Sequence, residues 1–107
     1  MIKQNDDKPL DTIIGRFVWS KAGRDKGKLF IIVDIADDNH VLIADGALRR
    51  ISNPKKKKLK HLNITNVSDE YISQAVLMKK KLNDADLQKA VLRYYDEHEN
   101  NLLSGEE

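Results

Sequence analysis

Cysteine is absent from the 107-residue sequence, which excludes a disulfide-stapled fold, a thiolate zinc site and a cysteine nucleophile. A reducing cytoplasm is the expected location. Aromatic residues are scarce, at 6%, and no apolar run approaches the ~18 residues of a membrane span. Residues 1–11 carry Asp6, Asp7 and Asp11 and no apolar stretch of the kind a secretory signal needs. Neither export nor a membrane partner is expected. Enzyme constellations are also missing. His40, His61 and His98 stand apart from one another, Asp37-Asp38-Asn39-His40 lacks a second ligand cluster, and Asp96, Glu97 and Glu99 form a loose acidic segment. There is no phosphate-loop motif of the Walker type and no dinucleotide fingerprint, so no catalytic residue, metal or cofactor is expected.

What the chain has in quantity is charge, at 34%, together with 40% hydrophobic residues gathered into short runs that a packed fold can use. Its net charge of +2 averages two unlike halves. Residues through Asn66 include 14 basic and 8 acidic side chains, a net of +6, whereas those from Val67 onward include 5 basic and 9 acidic, a net of −4. Between Arg49 and Lys60 lie Arg49, Arg50, Lys55, Lys56, Lys57, Lys58 and Lys60 without a single acid. Such a run concentrates self-repulsion, which contact with a polyanion relieves.

The apolar pattern of the first half has the short period of strands. Thr12 to Ser20 reads as a first strand, Lys28 to Ala36 as a second that is apolar on both faces and so the most buried, and His40 to Ala44 as a third. Asp45-Gly46 reads as a tight hairpin leading into a fourth strand over Ala47 to Ile51, ended by Asn53-Pro54. After the lysine run, Leu59, Leu62 and Ile64 suit a closing strand that returns to the first. Short strands in so few residues predict a mainly β fold, a small SH3-like barrel over residues 12–66. Phe17 is expected to fill it, with Trp19 at its rim.

From Ser68 the period becomes helical. Ser68 is expected to cap a helix with Tyr71, Ala75, Met78 and Leu82 along one stripe and Lys79, Lys80 and Lys81 near its C-terminus. Asn83 breaks and recaps the chain, and a second helix places Leu87, Ala90, Val91 and Tyr94 on one face. The expected organisation is thus a mobile lead over 1–11, the barrel over 12–66, a two-helix appendage over 67–99 and a disordered tail over 100–107.

Lys21-Ala22-Gly23-Arg24-Asp25-Lys26-Gly27-Lys28 sets two glycines among four cations, so that backbone and side chains can both approach a phosphate. Gly15-Arg16-Phe17-Val18, this loop, an apolar strand, Asp38-Asn39-His40-Val41-Leu42-Ile43, Asp45-Gly46 and Leu48-Arg49-Arg50 together resemble a KOW motif. Their spacing is similar to that of bacterial relatives of the fourteen-e, six-e and twenty-seven-e group of large-subunit ribosomal proteins, over about residues 12 to 66. Asp84-Ala85-Asp86-Leu87-Gln88-Lys89-Ala90 also resembles the tail of such proteins. The resemblance implies an RNA-binding barrel in a ribosomal or translation setting, without catalysis. Gly23 and Gly27 would correspond to its loop glycines, and Arg24, Lys26 and Lys28 to its basic positions. The full set expected to meet RNA, most plausibly ribosomal RNA, is Arg16, Lys21, Gly23, Arg24, Lys26, Gly27, Lys28, Arg49, Arg50, Lys55, Lys56, Lys57, Lys58, Lys60 and His61. The alternative is a protein-interaction adaptor of the translation or transcription machinery, its partners, ribosomal or other proteins, held through residues 67–99.

Overall fold

The structure, a computed structural model, describes residues 10–106, with side chains followed over residues 12–98. Most of the polar lead expected over residues 1–11 lies outside the described residues. A 3₁₀ turn at Leu10–Ile13 precedes strands β1 (Arg16–Ser20), β2 (Leu29–Asp37), β3 (His40–Ala44), β4 (Lys55–Lys58) and β5 (Leu62–Ser68). Helices α1 (Glu70–Leu77) and α2 (Asp84–Glu106) follow. All pairings are antiparallel, in the order β4-β3-β2-β1-β5.

The sheet carries a core on each face, as the two-sided apolar pattern of Leu29-Phe30-Ile31-Ile32-Val33 requires. On one face Phe17, Leu29, Ile31, Val33 and Ala44 pack under Ile72 and Ala75 of α1 and Leu87 and Ala90 of α2. On the other, Val18, Phe30, Ile32, Val41 and Ile43 are fully buried with Leu62 and Ile14. Pairing puts Phe17 opposite Ile31 and Val18 opposite Phe30, so Val18, and not Phe17, lies in the interior that the curling sheet encloses. Phe17 instead packs against Tyr94, the rings tilted at 39° with centroids 4.8 Å apart, and Trp19 meets Tyr94 and Tyr95 edge-on at 6.1 Å.

The expected closed barrel is not formed. β5 does return to β1, with Val18 facing Ile64 and Ser20 facing Leu62, but β4 and β5 do not pair. β4 has only four residues, and a 3₁₀ turn at Leu59–His61 takes up the chain between its end and the start of β5. The fourth strand is also displaced. Ala47 to Ile51 is a compact turn because the Asp45 carboxylate accepts from the amides of Ala47 and Arg49, at 3.0 and 2.8 Å, which bends the backbone away from β3. The lysines take the vacated edge, Lys57 opposite Val41 and Lys55 opposite Ile43. Lysine on an edge strand discourages further strand addition.

Helix α1 is capped by Asp69, whose carboxylate accepts from Ile72 N–H at 3.0 Å, because Ser68 is still paired with Arg16 in β5. The helix ends at Leu77, with Met78 as its C-cap, short of Leu82. Lys79 adopts φ +60°, its amide bonding Val76 O at 3.0 Å and the Lys80 amide bonding Ala75 O at 2.8 Å. This is a Schellman ending with lysine where glycine is usual. The buried stripe is therefore Ile72 and Ala75, and Tyr71 and Met78 are exposed. Asn83 and Asp86 cap α2 reciprocally, at 2.9 and 3.0 Å. Backbone helix extends through Glu106, beyond the end expected at residue 99; no glycine or proline interrupts it before Gly105. Gly46, at φ +84°, lets α2 dock closely: a Cβ there would meet the Asp84 carbonyl, and Gln88 Nε2 donates to Gly46 O at 2.6 Å.

Candidate nucleic-acid interface

The glycine loop joins β1 to β2 and is closed by its own backbone. Gly27 N–H donates to Ser20 O at 2.8 Å, Lys28 N–H to Asp25 O at 3.0 Å and Lys26 N–H to Gly23 O at 3.2 Å. Gly23 and Gly27 supply the left-handed turns, at φ +80° and +85°. Those three amides are thus spent inside the loop. What the loop offers outward is the side chains of Lys21, Arg24, Lys26 and Lys28, all exposed.

Two contacts bind this loop to chain segments remote in sequence. Asp25, only 3% exposed, holds the Arg49 guanidinium by both Nε and one Nη, at 3.0 and 2.9 Å. A buried carboxylate is stable there because the guanidinium brings a full positive charge and two N–H donors to its Oδ2. Lys57, also buried, donates from Nζ to Ala22 O at 2.8 Å. Alternation explains it: Lys55 and Lys57 share the face of Ile43 and Val41, while Lys56 and Lys58 share that of Leu42 and His40. Lys21 N–H further bonds His61 O at 2.8 Å. Glycine loop, Arg49, β4 and the Leu59–His61 turn therefore meet at one end of the sheet.

The expected site residues separate into distinct positions within this cluster. Lys21, Arg24, Lys26, Lys28, Lys55, Lys58 and Lys60 project to solvent, and Lys56 stands 3.8 Å from Asp37. Arg49 and Lys57 are committed to holding the loop. Arg50 is exposed and 4.0 Å from Asp84, and Arg16, half-buried, opens β1 opposite Ser68. His61 stands in the midst of the cations: its partial burial, followed by Lys60, Lys58, Lys57 and Lys21, holds its ring below the usual histidine pKa. Sequence reasoning missed Asp25, which looks like a dilution of the loop's charge but anchors it. It also missed His40, whose Nδ1 lies 2.8 Å from Asp37 Oδ1. That hydrogen bond, with one from the Asn39 amide, keeps the Asp37 carboxyl below its ordinary pKa. Among the described residues, no group of histidines and carboxylates could hold a metal ion. No helix there is long and apolar enough to cross a membrane.

Fold and site together define a small antiparallel-sheet protein with two helices on one face and a cationic end on the sheet. No family model matches the chain. It is 38% identical over 77 residues to the large ribosomal subunit protein eL14 of Tetrahymena thermophila, covering 71% of this chain and 60% of that protein. To eL14 of Desulfurococcus amylolyticus it is 37% identical over 71 residues, covering 59% of this chain and 74% of that protein. A Bacillus subtilis protein, YbzG, provisionally named a ribosome-binding protein, is 36% identical over 52 residues, 49% of this chain and 70% of its own. The chain belongs to the eL14 family of large ribosomal subunit proteins.

Proposed function

We propose that the protein associates with the ribosome by binding ribosomal RNA through the cationic end of its sheet. The observation that carries this reading is the junction of the glycine loop with β4: the hydrogen bond from Lys57 to Ala22 O and the Arg49–Asp25 pair gather cations from three stretches of sequence onto one surface. Lys21, Arg24, Lys26, Lys28, Lys55, Lys58 and Lys60 contact phosphates as point charges, while Gly23 and Gly27 shape the loop that presents four of them. Lys56, Arg50 and His61 border that surface, and Arg16 stands apart from it at the start of β1. Names of the relatives as ribosomal and ribosome-binding proteins support the choice of RNA over other polyanions. On this reading the open five-stranded sheet is a KOW-type domain related to SH3-like barrels, working as a cytoplasmic, non-catalytic ribosome component; the order β4-β3-β2-β1-β5, with β5 returning to β1, supports it.

The test is a titration of structured RNA by fluorescence anisotropy across salt concentrations. Neutralising about five to seven phosphates gives a log-log slope of about −4 to −6. Association that ignores salt, or none at low salt, overturns the reading.

A second reading, docking of a protein partner, is favoured by one observation: Tyr71, Leu77 and Met78 of the α1 region are more than half exposed. The apolar stripe of α2 is not free for this role, since Leu87 and Ala90 are buried against the sheet.

A further inference from the structure

A second feature lies beside the phosphate surface and was built by none of the residues that define the loop. Between the β2–β3 turn and the Leu59–His61 turn is a cleft of about 510 Å³, lined by Asn39, His40, Lys58, Leu59 and Lys60. That volume lies within the range of small-molecule sites. Its two walls are tied together by Leu59 N–H donating to Asn39 O at 2.8 Å. Asp37 orders one wall, accepting from Asn39 N–H at 2.8 Å and lying 2.8 Å from His40 Nδ1. With Nδ1 engaged, Nε2 and the ring face of His40 remain for a ligand. The Asn39 carboxamide makes no hydrogen bond to another described residue. Lys58 and Lys60 are exposed on either side of the half-buried Leu59.

This set differs in kind from a phosphate rail. Two ammonium groups flank an apolar side chain, an aromatic ring is held in place by a carboxylate, and a free carboxamide offers both a donor and an acceptor. A paired RNA stem would satisfy the lysines and leave the rest unused. We propose that the cleft holds one unpaired nucleotide of the bound RNA, its base against Leu59, His40 and Asn39 and its flanking phosphates on Lys58 and Lys60. The inference rests on the RNA-binding reading above and adds to it a site for a single base. Sequence-specific recognition of RNA mostly targets unpaired bases, because the major groove of a paired stem is too deep and narrow for side chains to read.

The test compares two RNA hairpins matched in length, one with a fully paired stem and one with a single bulged adenosine, alongside free AMP. Adenosine is the probe because a carboxamide can pair with its N6 and N7. The full chain should bind the bulged hairpin about tenfold or more tightly than the paired one, in line with stacking of one base. Asn39→Ala and His40→Ala should each remove most of that preference while leaving affinity for the paired stem and the circular dichroism spectrum unchanged. Equal affinity for the two hairpins, with the usual salt dependence, overturns the nucleotide site and leaves the RNA-binding reading standing. Binding to neither hairpin overturns both. AMP alone binding as tightly as the bulged hairpin assigns the cleft to a free nucleotide and overturns its placement on RNA.

Discussion

Removing the Arg49 guanidinium, as in Arg49→Ala, leaves the Asp25 carboxylate buried without a partner. Asp25 is 3% exposed and both contacts are short, so the whole penalty of an uncompensated buried charge applies at its end of the pair. Breaking such pairs costs roughly 3–5 kcal/mol. The Arg49 side chain is 28% exposed, which admits water to the vacated place and moves the expectation to the lower end, about 3 kcal/mol. With an m-value of about 1.5–2 kcal/mol/M for a domain of this size, the urea midpoint falls by about 1.5–2 M. Denaturation followed by Trp19 fluorescence measures it, since Trp19 borders the loop and is packed on Tyr94 and Tyr95. Adding Asp25→Asn to Arg49→Ala should recover part of the loss, because the stranded charge is removed. A midpoint shift under about 0.3 M for the single variant, or no recovery in the double, refutes the claim that this pair anchors the loop. A role in phosphate contact alone would lower RNA affinity and leave the midpoint in place.

Other expectations follow from particular positions. Gly27→Ala and Gly46→Ala impose similar backbone strain, at φ +85° and +84°, but a Cβ at position 27 meets nothing within 4 Å while one at 46 meets the Asp84 carbonyl. Thermal melts should therefore show a loss of about 1–2 kcal/mol for the first and at least 2 kcal/mol more for the second. Lys79→Gly relieves the left-handed strain at the end of α1 and should stabilise by about 1 kcal/mol; an unchanged or lower melting temperature contradicts the Schellman assignment. For His61, whose folded pKa lies below its unfolded value of about 6.5, the unfolded state takes up protons first, so stability should fall as pH drops through that value; His61→Gln should flatten that slope. Removing residues 67–107 strips Ile72, Ala75, Leu87 and Ala90 from Phe17 and Ile31, so the truncated chain should give no cooperative melt.

Much of the sheet was legible because its signals are local. β2 is apolar on both faces and is buried on both, and the paired glycines mark the loop that closes it. Asn83 and Asp86 form a cap readable three residues apart. Features that depend on distant partners were not legible. Four consecutive lysines carry no alternation of polarity, and they become a strand only because Val41 and Ile43 of β3 present an edge that the Asp45-bent turn leaves open. Asp25 looks like one more loop charge until Arg49, 24 residues away, covers it. Apolar residues occupy nearly every side of the α1 segment, with Tyr71, Ile72, Ala75, Val76 and Met78, so its sequence leaves the phase of the buried face undecided. Docking onto the sheet chooses Ile72 and Ala75. The cleft at His40 escaped for the same reason, since Asn39 and Leu59 meet only through the fold.

The central claim, that the cationic end of the sheet is the RNA-binding surface, is tested most directly by ultraviolet crosslinking in cells, followed by sequencing of the RNA and mapping of the crosslinked peptides. The account predicts a defined peak in large-subunit ribosomal RNA, with crosslinks in residues 21–28 and 55–61. Absence of RNA, or crosslinks confined to α1 and α2, would contradict it.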